Sequence, residues 1–312
     1  LQLLFELEAR KKRQQETLIV FDDIADSFDY KNKYAIVEYI QELNNEASSL
    51  FYQIILTHNF DLYRTLDSRL SLGENVLMTI RKKGEITFEP GKYRKDFFRK
   101  RLVADLKNKK DPKAFVCVIP FIRNIIEYAQ GSKTEAYTTL THCLHIPSGT
   151  RRVTIDDITP IIANTILLPQ GWKMDNERQL VQDVIKDVAR QIVSEPNVDE
   201  ISLENKIVLS ICIRILTEEY LLNTCQIDGS NISRNQTSEL IARFKKKHPT
   251  ELPTIKVLNR VNLMTPENIH VNTFMYEPLI DMSVEHLVDL YKSVIQLSAC
   301  PRETTGEPSD EP

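Results

Sequence analysis

The sequence predicts an α/β unit built on a parallel sheet, followed by a mainly α-helical domain. Two apolar, β-branched runs, at 17–22 and 51–57, each precede a segment with helical spacing. From about Lys92 onward amphipathic segments follow one another. Glycine is scarce, eight in 312 residues, which leans the chain towards helix.

Residues 1–12 read as the end of an amphipathic helix carrying Leu1, Leu3, Leu4 and Leu7. Because the sequence opens inside that pattern, the expectation is the tail of a longer protein. Residues 17–22 have the length and composition of a strand buried on both faces. Residues 31–45 place Ala35, Ile36, Tyr39, Ile40 and Leu43 at helical spacing, and 51–57 and 60–70 repeat the strand–helix order. That order is a βαβ unit with a parallel sheet. Two β-like runs around Lys83 and Gly84 predict an antiparallel hairpin at the sheet's edge. Helices are expected over 94–108, 113–130, 134–144, 154–168, 175–194, 202–224, 233–247, 254–262 and 282–298. The expected boundaries are 1–91 for the α/β lobe, 92–299 for the helical domain, and 300–312 for an acidic, proline-rich disordered tail.

Net charge is −4, so a nucleic-acid partner has to be argued from local clusters. Five scattered cysteines with no CxxC spacing fit a reducing, cytoplasmic setting and argue against a zinc site. No apolar run approaches ~20 residues, so no membrane partner is expected.

The stretch TLIVFDDIADSFD, 17–29, is the one that carries chemistry. An apolar strand ending in paired acids delivers carboxylates to the C-terminal edge of a parallel sheet, where phosphates and Mg²⁺ are bound in nucleoside triphosphatases. Asp22 would hold the Mg²⁺ water shell, and Asp23 would orient or deprotonate the attacking water. The plainer reading is a strand end whose acids favour the N-terminus of the next helix. A second apolar strand, in IILTHNFD, then ends at Thr57 and His58.

Together these segments resemble the C-terminal part of an ABC-type ATPase domain, in the SMC/RecF-like bacterial branch that includes the anticodon-nuclease ATPases. DDIADSFD lies on the pattern D-E-P-T-S-A-L-D that closes the Walker B strand and D-loop. The resemblance implies the C-terminal lobe of a P-loop NTPase with ATP and Mg²⁺ as cofactors. It implies Asp22 as the Mg²⁺ residue, Asp23 as the catalytic carboxylate and His58 as the γ-phosphate switch. Asp26, Ser27 and Asp29 would belong to a D-loop that contacts a second ATPase subunit or a homodimer mate. It also implies a role in bacterial phage defence or nucleic-acid sensing. Asp23 departs from the usual Glu, and Ile24 from the usual Pro. No GxxxxGK[ST] occurs in the 312 residues. The family's order places that loop upstream of Leu1, so the chain by itself is expected to bind ATP poorly. LSLGE, 70–74, is similar to the ABC signature but falls after His58, and reads instead as a helix end with Gly73 as its stop.

Two further segments have candidate roles. Residues 92–113 hold ten Lys/Arg against three Asp, with Arg94, Lys95, Arg99, Lys100 and Arg101 interleaved with aromatics. They suit RNA or DNA backbones, or equally a solvated basic face whose apolar side (Phe97, Phe98, Leu102, Val103, Leu106) docks on the sheet. Arg123 and Glu127, four apart, precede His142 and His145. Arg, Glu and His could support metal-independent RNA cleavage. The anticodon nucleases carry an R-x3-E pair followed by a histidine, though here the histidine comes sooner. The plainer reading is an ordinary i,i+4 ion pair and core histidines. Residues 265–291 resemble the closing segment of the same ATPases, with Ser283 expected as a helix N-cap and Leu287, Leu290 and Ile295 as a buried stripe. An ATPase with a helical effector domain, an ATPase-gated ribonuclease and a non-catalytic structural protein are the three functional classes left open.

Overall fold

Alternation decides which side of each strand is buried, and here it buries only one. The computed structural model describes residues 2–24, 33–46, 50–82, 85–93, 97–146, 152–196, 198–232, 235–265 and 282–299. These fall into two compact units, Leu1–Asp96 and Phe97–Pro312. In the first, β1 (Thr17–Asp22) and β2 (Phe51–Leu56) pair in parallel, Thr17 opposite Phe51 through Asp22 opposite Leu56. The helices α1 (Gln2–Lys12), α2 (Lys33–Glu46) and α3 (Phe60–Leu70) supply the rest of the core. Ile19 and Phe21 pack against Leu7, Val37, Ile40, Leu43, Leu62 and Leu66. The opposite face, with Leu18, Val20, Tyr52, Ile54 and Leu56, is 46% to 58% exposed. This corrects the expectation of a strand buried on both sides. The apolar run is continuous, but among the described residues the core cluster lies on the Ile19 and Phe21 side.

The hairpin of β3 (Leu77–Lys82) and β4 (Glu85–Pro90) is antiparallel as expected, but it forms its own two-stranded sheet rather than an edge of the first. It is tied to α3 instead. The Tyr63 hydroxyl donates to the Lys92 carbonyl at 2.9 Å, and the Gly91 N–H donates to the Val76 carbonyl at 2.7 Å. A Cβ at Gly91 would lie 2.6 Å from both Tyr63 Oη and Val76 Cγ1, so any larger residue would force those side chains to shift. The Lys83–Gly84 turn lies outside the described residues. Helix α3 starts at Asn59, whose side chain accepts the Leu62 N–H, and stops at Ser71 in the left-handed region. The stop is therefore Ser71 rather than Gly73, which also has positive φ but sits beyond the helix.

In the second unit, two helices are buried on nearly all sides: α5 (Pro112–Gln130) and α9 (Leu203–Glu219). They pack on each other. Around them lie α4 (Ala104–Lys109), α6 (Glu135–Leu144), α7 (Ile155–Thr165), α8 (Val181–Ser194), α10 (Gln236–Lys247), α11 (Leu252–Met264) and α12 (Val284–Ala299). The helix expected over 94–108 opens as a π turn, Phe98–Val103, before α4. Its apolar side meets α5 rather than a sheet: Phe98 stacks on Phe121 at 5.0 Å, and Phe97 lies 6.4 Å from the same ring. Helix α8 begins at Val181, later than the spacing predicts, because Leu180 is held in a bridge to Thr154. Ser283 caps α12, accepting the His286 N–H. Ile295 is 39% exposed, and the buried stripe runs instead through Val284, Leu287, Leu290, Tyr291 and Val294. The expected tail at 300–312 and most of the segment that opens at Thr265 lie outside the described residues. No helix of the described residues is long and apolar enough to cross a membrane.

Phe121 is fully buried and carries two aromatic contacts. Phe121→Ala should lower the unfolding free energy of this unit by about 3–5 kcal/mol. Urea denaturation followed by fluorescence of Trp172, the single tryptophan, measures it.

Candidate functional site

Parallel pairing puts the C-terminal ends of β1 and β2 side by side. The Asp23 N–H extends the ladder past β1, donating to the Leu56 carbonyl at 3.0 Å. Asp23 then turns into the left-handed region, φ 46°, a conformation that Asp tolerates better than most residues. Its carboxylate faces the end of β2. Asp23 Oδ1 accepts the His58 backbone N–H at 3.2 Å and lies 2.8 Å from His58 Nδ1. Two residues 35 apart in sequence are thus locked together, while their side chains stay open to solvent, 46% exposed for Asp23 and 64% for His58. The pair is held from behind by the start of α3: the Asn59 N–H donates to Thr57 Oγ1 at 3.0 Å, and the Asn59 side chain caps the helix.

A carboxylate accepts only, so the contact places a proton on Nδ1 of His58 and turns Nε2 to the other edge of the ring. Asp23 Oδ2 makes no hydrogen bond among the described residues. Asp22, the last residue of β1, is exposed and its side chain has no hydrogen bond or ion pair among the described residues. One such carboxylate suits Mg²⁺, which keeps most of its water and binds protein through one or two acids. Among the described residues no group of three or more His, Cys, Asp or Glu is placed to hold a metal. Asp26, Ser27 and Asp29 lie outside the described residues, as do Arg94 and Lys95.

The candidate nuclease residues are held by different partners. Arg123 is buried on α5, its Nε donating to Thr141 Oγ1 at 2.9 Å and its Nη2 to the Tyr137 hydroxyl. Its guanidinium sits 4.3 Å over the Tyr137 ring, and Glu127 approaches to 3.9 Å. The cation is held against α6. His142 gives its carbonyl to Gln182 at 3.2 Å. His145 Nδ1 lies 2.8 Å from Glu218 Oε1, on α9.

In the basic segment, Arg99, Lys100 and Arg101 are exposed. Arg101 bonds Glu204 at 3.1 Å and approaches Asp105 at 3.3 Å, and Lys109 also pairs with Asp105. Lys110 reaches Asp175, and Lys113 reaches Asn205. Much of the charge that reads as a phosphate-binding run is thus balanced by acids. Cys117, Cys143, Cys212 and Cys225 are buried, and burial pushes the first three thiols up, Cys212 to about 12, which leaves no thiolate nucleophile among those three.

The chain matches no family model, no curated protein and no solved structure. The geometry alone therefore ranks the sites.

The polar centre that sequence spacing missed is Glu218, whose side chain is 0% exposed. Besides His145 it accepts from the Ile146 N–H at 2.8 Å, Gln236 Nε2 at 2.9 Å and Thr237 Oγ1 at 2.6 Å. Burial, the largest single influence, raises this carboxyl; the charge and hydrogen bond of His145, with Thr237 and Ile146, outweigh it and leave the pKa below the ordinary value. A depressed folded-state pKa means stability that is present above the unfolded value of about 4.3 and is lost as pH falls through the folded one. Glu218→Gln should therefore cost about 3–5 kcal/mol near neutral pH. That deficit should shrink as pH drops below about 4.3. Urea midpoints of both proteins from about pH 7 to about pH 3 test the sign.

Proposed function

We propose that the first unit is one half of a nucleotide-hydrolysing site, the C-terminal lobe of an ABC-like ATPase, with the helical unit as its effector or interaction domain. The observation that carries it is the 2.8 Å contact between Asp23 Oδ1 and His58 Nδ1 at the adjacent ends of two parallel strands. That edge is where α/β proteins bind phosphates. Asp22 is the residue that would hold Mg²⁺, which when bound neutralises charge on the phosphate oxygens.

The chain's own residues divide the remaining work. Asp23 uses Oδ1 to fix the orientation of His58 and presents Oδ2 to a water, so it positions the nucleophile and accepts its proton. Oδ1 keeps the Nδ1 proton in place, and a second proton on Nε2 lets the ring donate to a phosphate oxygen. A carboxylate that is one methylene shorter than Glu is braced by this histidine and by the His58 N–H, which compensates for its reach with rigidity. The phosphate-gripping loop has to come from polypeptide outside these residues, and the D-loop positions Asp26, Ser27 and Asp29 suit a contact with a second copy.

Because Asp23 and His58 act through one contact, their effects should not add. In protein that carries a phosphate-binding loop upstream of Leu1, Asp23→Asn and His58→Ala should each lower ATP turnover about 10²-fold or more. The double variant should lose little beyond the worse single one, with unchanged circular dichroism in all three. Wild-type turnover in Asp23→Asn rejects the proposal.

A further inference from the structure

The second unit has a cavity of about 470 Å³ that none of the roles above uses, lined by the loop 226–231 together with Arg243 and Lys247 of α10. That volume is in the range of small-molecule sites. The loop is built rather than loose. Its Ile227 is buried and donates its N–H to the Leu221 carbonyl at 2.9 Å, and Gly229 lies so close to Leu222 that a Cβ would come within 2.8 Å of Cδ2. Asp228 accepts both the N–H and the hydroxyl of Ser230 at 2.8 Å.

Alternate carbonyls of the loop turn to the two cations. Arg243 Nη1 donates to the carbonyls of Asp228 at 2.7 Å and Ser230 at 3.0 Å, with Glu239 on its Nε at 3.1 Å. Lys247 Nζ reaches the Gln226 carbonyl at 3.5 Å, a weak contact that leaves the ammonium's donors largely unspent. Three of the loop's carbonyls and the Asp228 carboxylate are thus engaged, while Arg243 Nη2 and Lys247 make no other hydrogen bond among the described residues. Asp228, 3.8 Å from Arg243 Nη1, and Glu239 balance the two cations in charge, so what the lining offers a ligand is the hydrogen-bond capacity left on Arg243 Nη2 and Lys247 Nζ. A pocket whose unspent valence is cationic N–H groups selects an anion, and a guanidinium beside an ammonium suits a phosphate. The cavity is far larger than a lone phosphate, and the Gln226 and Asn231 amides line the remainder.

We propose that this cavity binds a small phosphomonoester of about mononucleotide size, with its phosphate between Lys247 and the outer edge of Arg243. Adenosine 5′-monophosphate is a suitable probe, titrated calorimetrically into the whole chain with adenosine as control. The expected result is saturable binding of one molecule per chain, absent for adenosine. Lys247→Ala, which removes an exposed side chain and should leave the fold intact, should weaken it about tenfold or more. Lys256→Ala, at an exposed position of α11 outside the lining, and His58→Ala, in the first unit, should leave it unchanged; the latter separates this site from the proposed ATPase half-site. Absence of saturable binding below about 1 mM, or binding that Lys247→Ala leaves intact, overturns the proposal.

Discussion

Two parallel strands end level with each other, and everything specific about the first unit depends on that register. Asp22 lies opposite Leu56, so the next residue on each side of the ladder leaves the sheet at the same height. The Asp23 N–H takes the Leu56 carbonyl, and this bond turns the carboxylate towards His58. A slip of one residue would carry Ile19 and Phe21 out of the core while breaking the Asp23–His58 contact. Core burial and site geometry are therefore secured by the same set of hydrogen bonds. A pair assembled this way needs no long loop to be ordered first.

The second unit solves a different problem. Helix α9 is buried along nearly its whole length, yet carries Glu204, Asn205, Lys206, Arg214, Thr217 and Glu218. Buried charge is costly unless hydrogen bonds are supplied, and where a partner is found it fixes a neighbouring element. Glu218 fixes the end of α6 through His145 and Ile146, and the start of α10 through Gln236 and Thr237. Arg214 reaches the Thr265 carbonyl at 2.6 Å, at the end of α11. Glu204 draws Arg101 in from the π turn that precedes α4. Apolar burial supplies the stability, while these polar contacts specify which helix lies where.

That contrast explains what could be read from the sequence. Strands β1 and β2, helix α3 and the placing of acids and a histidine at strand ends were legible because each depends on local pattern: an apolar run, a helical period, polar residues where an apolar run stops. The contact between Asp23 and His58 was not, since it joins residues 35 apart. Exposure of the other sheet face was not legible, since Leu18 and Val20 are as apolar as Ile19 and Phe21 and only the placement of the helices tells them apart. The stop of α3 at Ser71 escaped because glycine is the commoner left-handed residue. His145 read as a catalytic candidate because its partner, Glu218, lies 73 residues away. The one available signal was Glu218 itself, four residues after Arg214 and following the largely apolar run 207–216. The loop at 226–231 carried the turn residues Asp228, Gly229 and Ser230 but nothing that announced Arg243 and Lys247 as its neighbours.

The uncovered face of the sheet bears directly on the ATPase reading. Side chains alternate along a strand, so Leu18, Val20 and Asp22 point to the same side, and Leu56 joins them from β2. The carboxylate assigned to Mg²⁺ therefore belongs to the half-exposed apolar face. Parallel sheets are normally covered on both faces, because apolar side chains such as these are otherwise left in water. Under the proposed reading, a segment that brings a phosphate-binding loop to Asp22 must approach from that side. In doing so it would also bury Val20, Ile54 and Leu56. Covering the sheet and completing the site would then be one event. The hydrophobic gain would drive assembly of a centre whose phosphate contacts are individually weak in water.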